Sequence, residues 1–249
     1  ATARDHFQAA VALAETTTQR SLILQSTLAL GLVLAALSDS STTAVLSKVY
    51  PLADAAGDGD SFARAALAEP VGLGHIGVAM MTNHVVVARL RSALARVTNP
   101  GLKARLVVAL AVQQHSSLSE QDYFSLVEEA QQISDELTDS TLDGQILAAR
   151  IGARRVVAAD GIATPAVQSH LQRLDPFDPD ALPMVDLAVM LACRAGDLST
   201  AEDLIRRYED EFASLPVVAQ WSVLRARTAI AFARGSVELA RALSLEALR

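Results

Sequence analysis

Apolar residues recur every three or four positions along most of the chain, which is the spacing of one face of an α-helix. The segment after Ser119 shows this best, because its apolar and acidic residues fall on opposite sides of a helical wheel. No segment alternates Val, Ile and Thr as a half-buried β-strand does. The pattern predicts an all-α protein. The apolar side of the segment after Ser119 contains Tyr123, Leu126, Val127, Ala130, Ile133 and Leu137.

Residues that begin and end helices divide the chain at regular intervals. Asn99-Pro100 places a capping residue before a proline at the first helical position. Ser199 and Glu202 have the spacing of a capping box, which begins another helix. Pro51 lies within an otherwise helical pattern, so we expect it to kink or end that helix.

The predicted helices form pairs that repeat along the chain. The first helices begin near residues 17, 58, 100, 140, 180 and 216, and their partners begin near 40, 81, 119, 165, 199 and 236. Such spacing is typical of helical solenoids, in which each pair buries its apolar face against the next pair. We therefore expect one helical-repeat domain over residues 1–249, an α-solenoid of antiparallel helix pairs. The best-placed subdivision is the proline-rich break at Asp175–Pro179.

The overall charge and the cysteine content narrow the classes of function. The formal net charge is −7, so the chain is a poor nucleic-acid binder, because phosphate contacts need clustered Lys and Arg. The single cysteine excludes an intrachain disulfide and favours a reducing compartment such as the cytoplasm. The apolar run Leu28–Leu37 is about half of the roughly 20 residues that a membrane span needs. We expect no direct binding of nucleic acid or membrane.

Motifs that would indicate a catalytic, metal or cofactor site are incomplete. Gly72–Gly77 matches G-x-G-x-x-G, but no strand precedes it and no acid follows at the required distance, so it is interpreted as an interhelical loop. Asp54, Asp58 and Asp60 lack the spacing and the final Glu of a calcium loop. The five histidines and the single cysteine do not have metal-ligand spacing. The chain is therefore expected to be no enzyme and to bind no metal and no cofactor.

One charged segment is unusual for so acidic a chain. Residues 70–119 contain no acid, but they include Arg89, Arg96 and Lys103. Arg150 and Arg154 follow one repeat later. One interpretation is that these side chains lie along solvated helix faces. The other, which we favour as the site prediction, is a basic surface that binds an acidic partner, a neighbouring domain or a small anionic effector.

Several segments resemble known helical repeats. Residues 195–204 and 233–243 are similar to tetratricopeptide units, although the period here is nearer 40 than 34 residues and most of the aromatic residues of that repeat are missing. Residues 90–94, 100–111 and 126–130 resemble the helical region of large LuxR-type, STAND-class transcription regulators of bacteria. In that family a sensor or ATPase precedes the repeats and a helix-turn-helix follows them. Neither motif occurs within these 249 residues.

The resemblance implies a regulatory helical-repeat domain with a tetratricopeptide-like superhelix. Such a domain would bind a protein partner, a neighbouring domain or a small inducer and would control transcription. Two alternatives remain open on the sequence alone. The first is a free-standing tetratricopeptide-like adaptor, and the second is a helical enzyme whose site is dispersed over several helices.

Overall fold

The fold is all-α throughout the described part of the chain. The computed structural model describes residues 2–37, 39–69, 83–114, 117–137, 139–153, 167, 169–172, 181–211 and 217–247. Within these ranges no strand occurs. The twelve helices of the described residues are α1 Ala3–Glu15, α2 Arg20–Ala36, α3 Thr42–Ala56, α4 Gly59–Ala68, α5 His84–Leu94, α6 Pro100–Gln114, α7 Glu120–Ser134, α8 Ser140–Ala153, α9 Ala181–Ala195, α10 Leu198–Glu211, α11 Val217–Ala233 and α12 Val237–Ala247.

Local capping explains where most of these helices begin and end. The Asn83 side chain accepts hydrogen bonds from the backbone N–H groups of Val85 and Val86, which satisfies donors that have no partner inside α5. Gly57 ends α3 in the left-handed conformation, at φ 65°, where glycine avoids a steric penalty. Of the two effects expected of Pro51, the end of the helix does not occur, because α3 continues through it to Ala56. Pro51 is exposed, so its ring projects from the helix into solvent.

The chain divides into two compact units, Ala1–Thr138 and Asp139–Arg249. In the first unit each helix from α1 to α6 packs against the next one along the chain, so that α6 contacts α7. In addition α4 contacts both α2 and α6 directly. The helices α2, α4 and α6 therefore form one layer, called the first-helix layer, backed by a second-helix layer of α3, α5 and α7. Fully buried Leu46, Leu90 and Leu106 join helices of both layers.

The second unit is built on the same principle. Among its described helices α9 packs against α10 and α11, α10 packs against α11, and α11 packs against α12. The direct contacts of α8 with α9 and of α9 with α11 again join the first helices of successive pairs. Ala201, Ile205, Tyr208 and Ile230 are buried together in the core of this unit. The predicted register of first and second helices is thus confirmed wherever both members are described.

Two predictions concern residues outside the described ranges, the break at Asp175–Pro179 and the Gly72–Gly77 motif. Of the helix expected after residue 165 only a part is described, in which residues 167 and 169–171 are helical. The first helices that are described begin 39, 41, 40, 41 and 36 residues apart, which agrees with the predicted repeat. No helix in the described part of the chain is both long and apolar enough to cross a membrane.

Candidate functional site

Arg89, the first of the predicted site residues, lies in a network that joins three helices. Its guanidinium forms an ion pair with the carboxylate of Glu69, which follows α4, and lies 5.0 Å from the centre of the Tyr50 ring on α3. The Tyr50 hydroxyl donates a hydrogen bond of 2.9 Å to the other oxygen of Glu69. Burial raises the pKa of Tyr50 above its ordinary value, and the Glu69 charge raises it further. The hydroxyl therefore remains a donor at neutral pH.

Arg96 makes a second network of the same composition. Its Nε donates to Asp54 of α3 at 3.0 Å, and its guanidinium lies 5.0 Å from the centre of the Phe62 ring on α4. The same guanidinium donates to the carbonyl and the hydroxyl of Ser92. Each network thus combines an arginine, a carboxylate from an earlier helix and an aromatic ring.

The two networks meet at their aromatic rings. The centres of the Tyr50 and Phe62 rings are 4.7 Å apart, so Arg89 and Arg96 are brought together on either side of one aromatic pair. From the sequence alone these arginines have no neighbouring carboxylate, because residues 70–119 contain no Asp or Glu. The structure corrects that premise, since their carboxylates come from residues 20 and 42 positions away. Partner binding by Arg89 and Arg96 stays a prediction, and their observed contacts are intramolecular.

The remaining predicted residues that the structure describes lie on helices other than α3, α4 and α5. Lys103 is exposed in the first turn of α6. Arg150 is half-buried on α8 in the second unit and has contacts within the protein. Arg154 lies outside the described residues. That the five predicted residues form one binding surface therefore stays a prediction.

Charge in the first unit is divided between the two layers of helices. The first-helix layer carries four basic residues and one acidic residue, whereas the second-helix layer carries three basic and five acidic residues. The acid of the first-helix layer, Asp60, accepts hydrogen bonds from the backbone N–H groups of Thr98 and Asn99. Within the helix bounds the first-helix layer is therefore the more basic of the two layers, with Asp58 and Glu69 adjoining the ends of α4. Its basic residues are Arg20, Arg64, Lys103 and Arg105.

The sides of α2, α4 and α6 that point away from the second-helix layer are accessible to solvent, and we call them together the open face. Gln25, Arg64 and Arg105 are each the sixth residue of their helix, and all three lie on this face, with Gln25 and Arg64 exposed and Arg105 half-buried. Because alternate helices of a pairwise solenoid run in the same direction, these side chains form a row across the three helices. No hydrogen bond or ion pair joins Arg64 to another described residue, but its charge acts on the Asp60 carboxyl, one turn earlier on the same helix, and helps to lower the pKa of that group.

The open face is apolar on the carboxyl side of this row. Ala29 and Ala109, each the tenth residue of its helix, are half-buried. Leu32 and Val112 are each the thirteenth residue; Leu32 is 38% exposed and Val112 is half-buried. The open face therefore combines amide and guanidinium donors with an adjacent apolar surface. Its residues are Gln25, Ala29, Leu32, Ala36, Arg64, Leu67, Arg105, Ala109 and Val112.

The sequence predictions did not include Gln25, Arg64 or Arg105 as site residues. A signal for them was present, because the three residues are 39 and 41 positions apart, the period of the repeat. Alignment on the capping residues Asp58 and Asn99 places Arg64 and Arg105 at one equivalent position. The side chain before α2, Gln19, makes no capping hydrogen bond, so the position of Gln25 comes from the structure. The search for clustered charge along the chain could not find them, because each lies in a different repeat.

The three aspartates that faintly resemble a calcium loop are used in other ways. Asp58 caps α4 by accepting from the N–H and the hydroxyl of Ser61, Asp60 binds the α5–α6 turn, and Asp54 pairs with Arg96. Among the described residues, no group of three His, Cys, Asp or Glu side chains lies close enough together to hold a metal ion.

The chain was compared with known proteins at the level of sequence. It matches no protein-family model, and it shows no significant similarity to any curated protein. The function is therefore inferred from the described geometry and from the resemblance of the repeat segments.

Proposed function

We propose that this chain is the regulatory helical-repeat region of a multidomain bacterial transcription regulator. In this proposal it binds a protein partner, a neighbouring domain of the same polypeptide or a small inducer. The resemblance of residues 90–94, 100–111 and 126–130 supports the transcriptional role. The fold supports the role of a binding scaffold, because stacked helix pairs present extended surfaces of repeated side chains.

The observation that carries the proposal is the division of charge between the two layers of the first unit. In the second-helix layer Arg89 pairs with a carboxylate and an aromatic ring of the same protein. In the first-helix layer Arg64 is exposed and interacts with the charge of Asp60 on its own helix, and it contacts no aromatic ring and no nearly buried carboxylate among the described residues. An arginine at a repeat-equivalent position on an open face contributes little to stability, so binding is the better explanation for it.

The experiment is to replace the gene in its own bacterium with an Arg64→Glu, Arg105→Glu variant and to measure all transcripts. We expect the same limited set of transcripts to change as in a deletion strain. The matched control is Lys48→Glu, which reverses an exposed cation of the second-helix layer in the same unit and should leave transcripts as in the wild type. A deletion that changes no transcript would contradict the transcriptional role.

The full reading frame separates this proposal from a free-standing adaptor. A phosphate-binding P-loop motif upstream and a helix-turn-helix downstream would support the multidomain regulator. A frame that encodes neither would support the adaptor, which would use the same open face for a separate protein.

A further inference from the structure

The open face differs from a small-molecule site in its shape and in its chemistry. Sites for small molecules enclose most of the ligand's surface. Here the central side chain, Arg64, is exposed, and Leu32 is 38% exposed. The face spans three helices, so it suits a ligand long enough to cross them. A polypeptide segment meets this requirement, and a compact effector does not.

The order of side chains on the open face favours a helical segment as that ligand. Ala29 and Ala109 project little from their helices, so the backbone of a partner can approach closely along the line that joins them. The long side chain of Arg64 belongs to the row on one side of this line, and Leu32 with Val112 lies on the other side. A helix that lies along the alanines would therefore meet polar donors on one flank and apolar side chains on the other. Helix-in-groove complexes use this division of an amphipathic helix.

The positive charge of the open face favours a partner that carries negative charge. Arg64 and Arg105 present only donors, and the Gln25 amide can donate as well as accept. The nearby acid, Asp60, already accepts from the backbone N–H groups of Thr98 and Asn99 and interacts with the Arg64 charge. Arg105 has a contact within the protein, but a guanidinium carries five N–H donors and can bind two groups at once. Carboxylates are the side chains that arginine binds best in pairs.

We infer that the open face of α2, α4 and α6 binds an acidic amphipathic helix. The apolar side of that helix lies on Ala29, Leu32, Ala109 and Val112. Its carboxylates bind the row formed by Gln25, Arg64 and Arg105. This inference rests on the proposed function and names the chemistry of the partner at the proposed binding scaffold.

The test uses the whole chain and two synthetic peptides of about 20 residues, a length that allows a stable amphipathic helix on binding. Both peptides carry Leu at helical spacing, and one has Glu where the other has Lys. Fluorescence anisotropy of labelled peptides gives their affinities. The net charge of −7 by itself favours the Lys peptide. Tighter binding of the Glu peptide would therefore require a local basic surface.

We expect the Glu peptide to bind about tenfold more tightly than the Lys peptide and to weaken with added salt. Arg64→Glu should reduce its affinity about tenfold, and Leu32→Gln should reduce it as well, because the apolar contact is lost without a change of charge. The matched controls are Lys48→Glu on α3 and Leu13→Gln on α1, both exposed positions away from the open face, and neither should change the affinity.

Three results would overturn the inference: no binding of the Glu peptide, equal affinity for both peptides, or an Arg64→Glu variant that binds as wild type. Circular dichroism of each variant confirms that a loss of affinity is not a loss of fold. If neither peptide binds but transcripts still change in the Arg64→Glu, Arg105→Glu strain, the inference is wrong and the proposed function stands. If the Glu peptide binds as expected but no transcript changes, the reverse holds.

Discussion

Each residue of the turn Gly57-Asp58-Gly59-Asp60 has a separate structural task. Gly57 ends α3 and Asp58 begins α4. Gly59 lies against the backbone carbonyl of Arg96, so close that a Cβ atom there would overlap it. Asp60 reaches the same α5–α6 turn through its carboxylate. The second glycine is therefore required by packing against the α5–α6 turn, in contrast to the first, which is required by its backbone conformation.

The first prediction follows from Gly59. Gly59→Ala should destabilise the protein by about 1–3 kcal/mol, because a backbone carbonyl cannot move aside as a flexible side chain can. The matched control is Gly101→Ala in the first turn of α6, where the nearest atom to an added Cβ is 3.3 Å away. Its effect should lie within about 1 kcal/mol. Urea unfolding of both variants is the measurement, and equal stability of the two would show that the packing of Gly59 is misjudged.

A second prediction at this scale concerns Asp60. The backbone N–H of Thr98 is the main cause that holds the pKa of Asp60 below its usual value of 3.8, since it donates to the ionised carboxylate. A carboxylate with a lowered folded pKa stabilises the protein above its unfolded pKa and loses that contribution as the pH falls through the folded value. Asp60→Asn should therefore be less stable than wild type at pH 7, and the difference should shrink below about pH 3.8.

The measurement for Asp60 is urea unfolding of both proteins at pH 7 and pH 3. Asp203→Asn, which alters an exposed carboxylate on α10, is the control and should show a smaller difference at pH 7. A difference between wild type and Asp60→Asn that is the same at both pH values would argue against the ionised carboxylate as its cause.

At the scale of helices, the networks of Arg89 and Arg96 link elements that are not sequence neighbours. Tyr50 on α3 and Arg89 on α5 meet at Glu69 beyond the end of α4. The second unit has the same combination, since Arg225 on α11 pairs with Asp186 on α9 at 2.6 Å and lies 5.1 Å from the centre of the Trp221 ring. Such clusters of arginine, acid and aromatic ring fix the position of one helix pair on the next.

The third prediction tests this role for Arg89. The Glu69 side chain is only 6% exposed, so removal of Arg89 leaves a nearly buried carboxylate without its charge partner. Arg89→Met should cost about 1–3 kcal/mol, and Glu69→Gln added to it should recover part of the loss. Arg206→Met is the control, because Arg206 and Asp203 form an exposed pair on one helix, and it should cost less than about 1 kcal/mol. Urea unfolding gives all three values, and equal losses for Arg89→Met and Arg206→Met would contradict the role.

The element boundaries were largely predictable from the sequence because they depend on local capping. Ser119 and Asp58 bind backbone groups within three residues, so their effect can be seen in a short window. The sequence left open whether the helix ends at Pro51 or continues through it, and packing of its buried neighbours in the core outweighs the local penalty of the proline. Those neighbours are Leu46, Val49 and Ala53. Helical spacing also places Leu239 on the inner side of the last helix, but its side chain is 55% exposed.

The candidate site was less predictable, for a physical reason. Charge along the chain identifies Arg89 and Arg96 as members of an acid-free segment, but the carboxylates that pair with them come from other helices. The sequence of α4 alone does not distinguish Arg64 from any other exposed residue. The packing of α4 between α2 and α6 shows which side of that helix is open to solvent. Assignment to a layer is a tertiary property, which periodicity within a single helix cannot supply.

At the scale of the whole molecule, the two compact units offer separate probes of stability. Trp221 is the single tryptophan of the chain and lies in the second unit, so its fluorescence reports on that unit. Far-UV circular dichroism reports on the helices of both units. In repeat architectures stability is a sum of local terms, and a perturbation in one part need not unfold the other.

The last prediction applies this to Ala201, which is fully buried beside Ile205 and Tyr208. Ala201→Leu should overpack that core by about 1–3 kcal/mol and move the fluorescence transition to lower urea. The dichroism curve should then show two transitions. The transition at higher urea, that of the first unit, should keep the midpoint it has in the wild type. Leu106→Ala, a fully buried change in the first unit, should do the opposite and leave the fluorescence midpoint unchanged. If fluorescence and dichroism shift together in both variants, the two units unfold as one cooperative body.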